Sequence, residues 1–196
     1  MPLRKTALVT GGSAGLGAAI ARLLARDLGM SVVINYSKNE GRAEDLLNEL
    51  RGVKQQDDGL DPPVFQAIKA DLHNKQGVTR LIEETVAATG GRLDVVVSNF
   101  GWTRMTNFTD LDEGVDEEDW DRCYNANVKS HLWLLYGARK YLEEANKREE
   151  GSAVFVSTAS TAGVKPAGSS LVRPYVPELP GLNEPPYLTV NLSPTP

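Results

Sequence analysis

Cysteine is almost missing from this 196-residue chain, where Cys123 stands alone. One cysteine excludes an internal disulfide framework and a thiolate-based zinc cage, and it fits a reducing compartment. Aromatic residues are sparse, at 7%. No apolar run near the start reaches membrane-spanning length, because Gly11 and Gly12 interrupt the stretch after Met1-Pro-Leu-Arg-Lys within a few residues. The expected location is therefore the cytoplasm, with no membrane partner. A basic excess is lacking too: 21 Lys and Arg stand against 26 Asp and Glu, a formal charge of −5. That balance argues against nucleic acid as a main partner. What is present, 41% hydrophobic and 24% charged residues, describes a globular domain able to bury a core without a metal or disulfide.

Residues 1–160 alternate short β-branched runs with longer amphipathic stretches, which predicts a parallel sheet with crossover helices. The strand candidates are Ala7–Thr10, Val32–Asn35, Val64–Ile68, Val95–Ser98 and Val154–Ser157. Between them, helical spacing recurs at Ala19, Ile20, Leu23 and Leu24, at Leu46, Leu47 and Leu50, and at Val78, Leu81, Ile82 and Val86. A longer helical region is expected from about 118 to 148, split or bent near Asn127, with Asp116 or Asp119 as N-cap. The acidic residues between Asp110 and Asp121 read as a solvated loop and helix start rather than a metal site. The fold class is α/β, a doubly wound parallel sheet in the order 3-2-1-4-5.

Composition changes after Leu171, where seven of the eleven prolines fall within residues 171–196. Proline removes helix donors and forces extended geometry on its neighbours, so this segment is expected to be an irregular tail. Residues 1–171 form the domain on this reading, and 172–196 the tail.

Thr10-Gly11-Gly12-Ser13-Ala14-Gly15-Leu16-Gly17 joins the first strand to the first helix. Glycines there permit a tight turn and close approach of a ligand to the backbone, while the helix dipole favours a pyrophosphate. No lysine follows the last glycine, which disfavours a P-loop hydrolase. The spacing Thr-Gly-x-x-x-Gly-x-Gly resembles the short-chain dehydrogenase/reductase family, and further motifs agree. Asp71-Leu72 follows the third strand, where the family's aspartate contacts adenine. Ser98-Asn99-Phe100-Gly101 stands where the family usually has Asn-Asn-Ala-Gly beside the cofactor, and Phe100 in place of a small residue is expected to crowd the site.

The resemblance implies a Rossmann-type NAD(P)-binding fold and hydride transfer to or from a small-molecule carbonyl or alcohol. Family members are commonly homo-oligomers. The implied cofactor contacts are Thr10, Gly11, Ser13, Gly15, Leu16, Gly17, Asn35, Tyr36, Ser37, Asp71, Leu72, Asn99 and Gly101. A carboxylate at the end of the second strand would repel a 2′-phosphate, but Asn35-Tyr36-Ser37-Lys38 has none, so NADP is favoured over NAD. The family's active-site asparagine falls on Asn127. Its substrate-holding serine falls on Ser160, in Ser-x-x-Gly, with Ser157 as runner-up. The family's proton-transfer tyrosine and lysine would fall near 173 and 177, where the chain has Arg173 and Pro177; Tyr175 has Leu179 four residues on. Catalysis is therefore expected to be absent or feeble. The alternative function is a non-catalytic nucleotide-binding or interaction protein, or an aberrant product. Because the resemblance stops where the prolines begin, residues from about Val172 are expected to derive from an unspliced intron or a mis-assigned gene end.

Overall fold

β1 (Thr6–Val9) is buried along its whole length, as a strand covered on both faces must be. It pairs in parallel with β2 (Ser31–Tyr36) on one side and β4 (Val95–Ser98) on the other. β3 (Phe65–Lys69) extends the sheet beyond β2, and β5 (Val154–Thr158) extends it beyond β4. The resulting parallel order β3-β2-β1-β4-β5 is the one expected, with its reversal point between β1 and β4. The computed structural model describes residues 2–53, 59–107, 110, 112–160 and, as backbone, 187–191.

The expectation of an irregular tail fails at one segment. β6 (Tyr187–Asn191) pairs antiparallel with β5, from Thr158 opposite Tyr187 to Val154 opposite Asn191. Tyr-Leu-Thr-Val-Asn contains no proline and is rich in strand formers. The outer edge of β5 is thus paired rather than bare. Arg173, Tyr175 and Pro177, and the boundary at 171, lie outside the described residues.

Alternation along the strands divides the core into two layers. Ala7, Val9, Val32 and Ile34 pack under α1 (Gly15–Arg26) and α2 (Glu40–Arg51). Leu8, Val33 and Val96 pack under α3 (Lys75–Ala88) and α5 (Ser130–Arg148). The predicted faces of α2 and α3 are the buried ones, with Leu46, Leu47, Leu50, Val78, Leu81 and Ile82 at 3% exposure or less. On α1 the face is rotated: Gly17, Ala18, Ala21, Leu24 and Ala25 are buried, whereas Ala19 and Leu23 are exposed. Small residues let this helix lie close to the sheet, so size overrides hydrophobicity in choosing the face.

α4 (Glu117–Tyr124) begins at Asp116, whose side chain accepts from the Glu118 and Asp119 amides at 2.9 and 3.3 Å. A π-helical turn, Asn125–Lys129, separates it from α5, at the expected bend. The neighbouring acids have partners: Asp119 pairs with Arg104, and Glu113 accepts from the Asn107 amide at 2.8 Å. No three ligating residues among the described residues are placed to hold a metal, and no described helix is long and apolar enough to cross a membrane.

One buried charge ties β1 to β4. Asp94, fully buried, accepts from the Thr6 amide at 2.8 Å and from Arg92 Nε at 2.8 and 3.1 Å. Asp94→Ala strands a backbone donor and a guanidinium, and should lower stability by about 3–5 kcal/mol in urea denaturation. A loss within about 0.5 kcal/mol, the range of ordinary surface changes, would contradict this account of the pair.

Candidate functional site

The carboxyl ends of β1 and β4 are joined by side chains. Thr10, fully buried, donates its hydroxyl to the Val97 carbonyl at 3.3 Å. The same oxygen accepts the Asn99 and Phe100 amides at 2.9 and 3.0 Å. Asn99 Nδ2 returns the contact, donating to the Thr10 and Gly11 carbonyls at 3.1 and 3.4 Å. Gly11 turns the chain at φ +59° and Gly15 opens α1 at φ +54°. At Gly17 a Cβ would strike the Gly11 carbonyl and come within 2.7 Å of Asn99 Nδ2. The first turn of α1 therefore rests directly on the loop it follows, and a helix start leaves its first amides without intrahelical partners. Ser13, Gly15 and Leu16 line this rim, with Leu16 56% exposed.

Beside the rim lies a cleft of about 820 Å³ between the ends of β2 and β3 and α4, lined in part by Ser37, Lys38, Asp71, His73, Arg80 and Arg122. Asp71 Oδ1 accepts from the His73 amide at 3.1 Å and lies 2.8 Å from His73 Nδ1, while Oδ2 accepts from Asn74 at 3.2 Å. Burial alone would raise the Asp71 pKa, but these hydrogen bonds and the histidine's charge outweigh it and hold the carboxyl below its ordinary value. On the far side of the ring, Arg122 Nε points at His73 Nε2 at 3.4 Å, and the guanidinium stacks 4.3 Å from the Trp102 ring. Leu72 is a core residue, 2% exposed, and Tyr36 is 8% exposed, its phenol pushed up by burial and then by Glu40. Asn35 is 1% exposed.

The Phe100 ring packs on the α3/α5 core and meets His73, which lines the cleft, edge-on, centroids 5.1 Å apart. Gly101 and Asn127 are neighbours, since a Cβ on Gly101 would lie 2.9 Å from Asn127 Oδ1. Asn127 sits within the π-helical turn and clamps Trp102, accepting its amide at 2.9 Å and donating to its carbonyl at 2.7 Å. Cys123 Sγ lies 2.9 Å from Asn127 Nδ2 and donates to the same carbonyl at 3.3 Å. Burial pushes the Cys123 thiol up and the Asp119 charge adds to this, against a hydrogen bond from Asn127. Ser160 is exposed, two residues past the end of β5.

Sequence reasoning missed His131. The Ser98 and Ser157 hydroxyls both lie 2.8 Å from its Nδ1, which joins the ends of β4 and β5 to α5. Burial lowers the His131 pKa, offset in part by a hydrogen bond to the Phe100 backbone. The Ser157 hydroxyl is thus held against His131. The only sequence hint was a histidine four residues after Asn127, because its partners stand 33 and 26 positions away.

The comparisons agree with this geometry. Residues 5–172 match the short chain dehydrogenase family, and the chain belongs to it. Short chain dehydrogenase/reductase AacuN of Aspergillus aculeatus is 35% identical over 158 residues, 81% of this chain and 52% of its own. Hydroxynaphthalene reductase-like protein Arp2 of Metarhizium robertsii is 35% identical over 143 residues, 73% of this chain and 48% of its own. The chain thus spans about half the length of these curated relatives. Among solved structures, a short chain dehydrogenase from Burkholderia cenocepacia in complex with NADP is similar at TM-score 0.69 and 30% identity, covering 87% of this chain and 62% of that one. The NADH-dependent reductase A1-R′ complexed with NAD is similar at TM-score 0.72 and 25% identity, covering 86% of this chain and 65% of that one.

Two outcomes test the site. Gly17→Ala should drive the first turn of α1 off the Gly11 loop and abolish any dinucleotide-induced rise in melting temperature; a preserved rise would remove the close crossing from the account. His131 stays neutral when folded while the unfolded chain takes up a proton near pH 6.5, so its contribution is complete above about 6.5 and lost as pH falls toward the lowered folded pKa. The urea midpoint should drop between pH 7.5 and 5.5, and His131→Gln should flatten that drop. Equal slopes in both proteins would contradict it.

Proposed function

We propose that this chain binds NADP(H) across the carboxyl ends of β1, β2 and β4 and serves a short-chain oxidoreductase reaction on a small carbonyl or alcohol. The observation that carries the reading is the crossing at Gly17, a backbone cradle that even one methyl group would fill. Thr10, Gly11, Ser13, Gly15, Leu16 and Gly17 would hold the pyrophosphate; Ser37 and Lys38 the adenosine ribose, with buried Tyr36 behind them; Asp71 the adenine, with Leu72 offering only its backbone; and Asn99 and Gly101 the path toward the nicotinamide. When bound, the nicotinamide gives or takes a hydride. Asn127 and Ser160 would face the substrate side, Asn127 through its clamp on Trp102.

The preference for NADP rests on the missing carboxylate at the end of β2 and on Lys38 at the cleft. Relatives of both kinds exist, one solved with NADP and another with NAD. A second reading has its own observation: Arg173 and Pro177 occupy the positions at which the family's tyrosine and lysine would fall. Proton transfer by a placed acid or base contributes about 10²–10⁴-fold, so this reading is cofactor binding with feeble turnover.

Fluorescence titration with NADPH and NADH, followed by absorbance assays on a carbonyl panel, tests both. Saturable binding supports the first reading, and binding without turnover the second. Absence of binding by folded protein would remove both. Lys38→Glu should weaken NADPH about tenfold and leave NADH nearly unchanged. Equal loss for the two would contradict the assigned 2′-phosphate contact.

A further inference from the structure

Asn35 stands at the end of β2, where the resemblance implies a contact with the cofactor. Its side chain is turned inward, 1% exposed, and every hydrogen-bonding position on it faces backbone. Oδ1 accepts from the Gly11 amide at 3.3 Å. Nδ2 points at the carbonyls of Ala70, Tyr36 and Ile68 at 3.1, 3.2 and 3.3 Å. Its own carbonyl accepts from the Gly12 amide at 2.9 Å.

These partners lie in the turn after β1 and at the ends of β2 and β3. Gly11, at positive φ, has left the β1 ladder, so its amide needs an acceptor from outside the strand. Ile68 and Ala70 close β3, directly before Asp71. A side chain with one acceptor and two donors on a short stem serves both the turn after β1 and the β3 end: aspartate lacks the donors, leucine lacks everything polar, and serine is too short. We propose that Asn35 is a positioning residue which locks the pyrophosphate turn at Gly11 to the β3 end that carries Asp71, setting the span across which a dinucleotide must lie. This rests on the reading of the site as a dinucleotide cradle. Ser37, two residues on, is exposed and lines the cleft.

The test compares the full chain with N35L, N35S and N35D, each checked for folding by circular dichroism. Hydrogen exchange of the Gly11 amide is followed by NMR and NADP⁺ affinity by calorimetry. In folded N35L and N35S, Gly11 exchange should rise by about tenfold or more, while Gly90, a remote turn glycine, is unchanged. N35D keeps the acceptor and should restore Gly11 protection. NADP⁺ affinity should fall about tenfold in N35L. Gly11 staying protected in N35L or N35S overturns the proposal, as does unchanged NADP⁺ affinity with Gly11 exposed. If N35L does not fold, N35S against N35D decides through exchange alone. If the native chain binds neither NADP⁺ nor NAD⁺, the functional reading fails, and Gly11 exchange still decides what Asn35 does.

Discussion

The Asn99 amide reaches from the end of β4 to the carbonyls of Thr10 and Gly11, and the rest of the carboxyl edge is arranged around that bridge. It leaves no room for a side chain at Gly17, so it fixes how closely α1 crosses the loop. It also satisfies carbonyls that the turn removes from the β1 ladder, which a buried backbone requires. Thr10 completes the link by accepting both amides that follow β4. A helix start held at one place, its first amides without intrahelical partners, is the consequence.

The second constraint is electrostatic. The cleft sets Lys38, Lys69, Arg80 and Arg122 among the carboxylates of Asp71, Glu118 and Asp121, so charges of both signs line it. Arg122 is held between the Trp102 ring and His73, and His73 in turn leans on Asp71. Trp102 is itself clamped by Asn127. The cleft wall and the asparagine of the π-helical turn therefore belong to one connected set of contacts.

The sheet was legible because each strand is a short apolar run and each crossover helix has a clear period. Order followed from the parallel rhythm and the glycine turn. The face of α1 was misread because Leu23 outranks Ala18 and Ala21 in hydrophobicity, while the crossing demands small side chains. β6 was hidden by proline counting, which averages over a segment and overlooks five residues without any. Spacing put Gly11, Gly17 and Asn99 at the ends of β1 and β4, where they meet, and the resemblance put a bend at Asn127. It could not show that Asn35 and Leu72 point inward, nor that Phe100 swings to the other layer, since spacing fixes position and not direction. His131 was out of reach, because a hydrogen-bonded cluster across 26 or 33 residues leaves no local pattern.

A crystal structure of the chain with NADP⁺ bound tests the central claim most directly. The account predicts the pyrophosphate over the amides of residues 13–17 at the start of α1, with the adenosine lying between Ser37 and Asp71. Dinucleotide density at any other place on the molecule would contradict it.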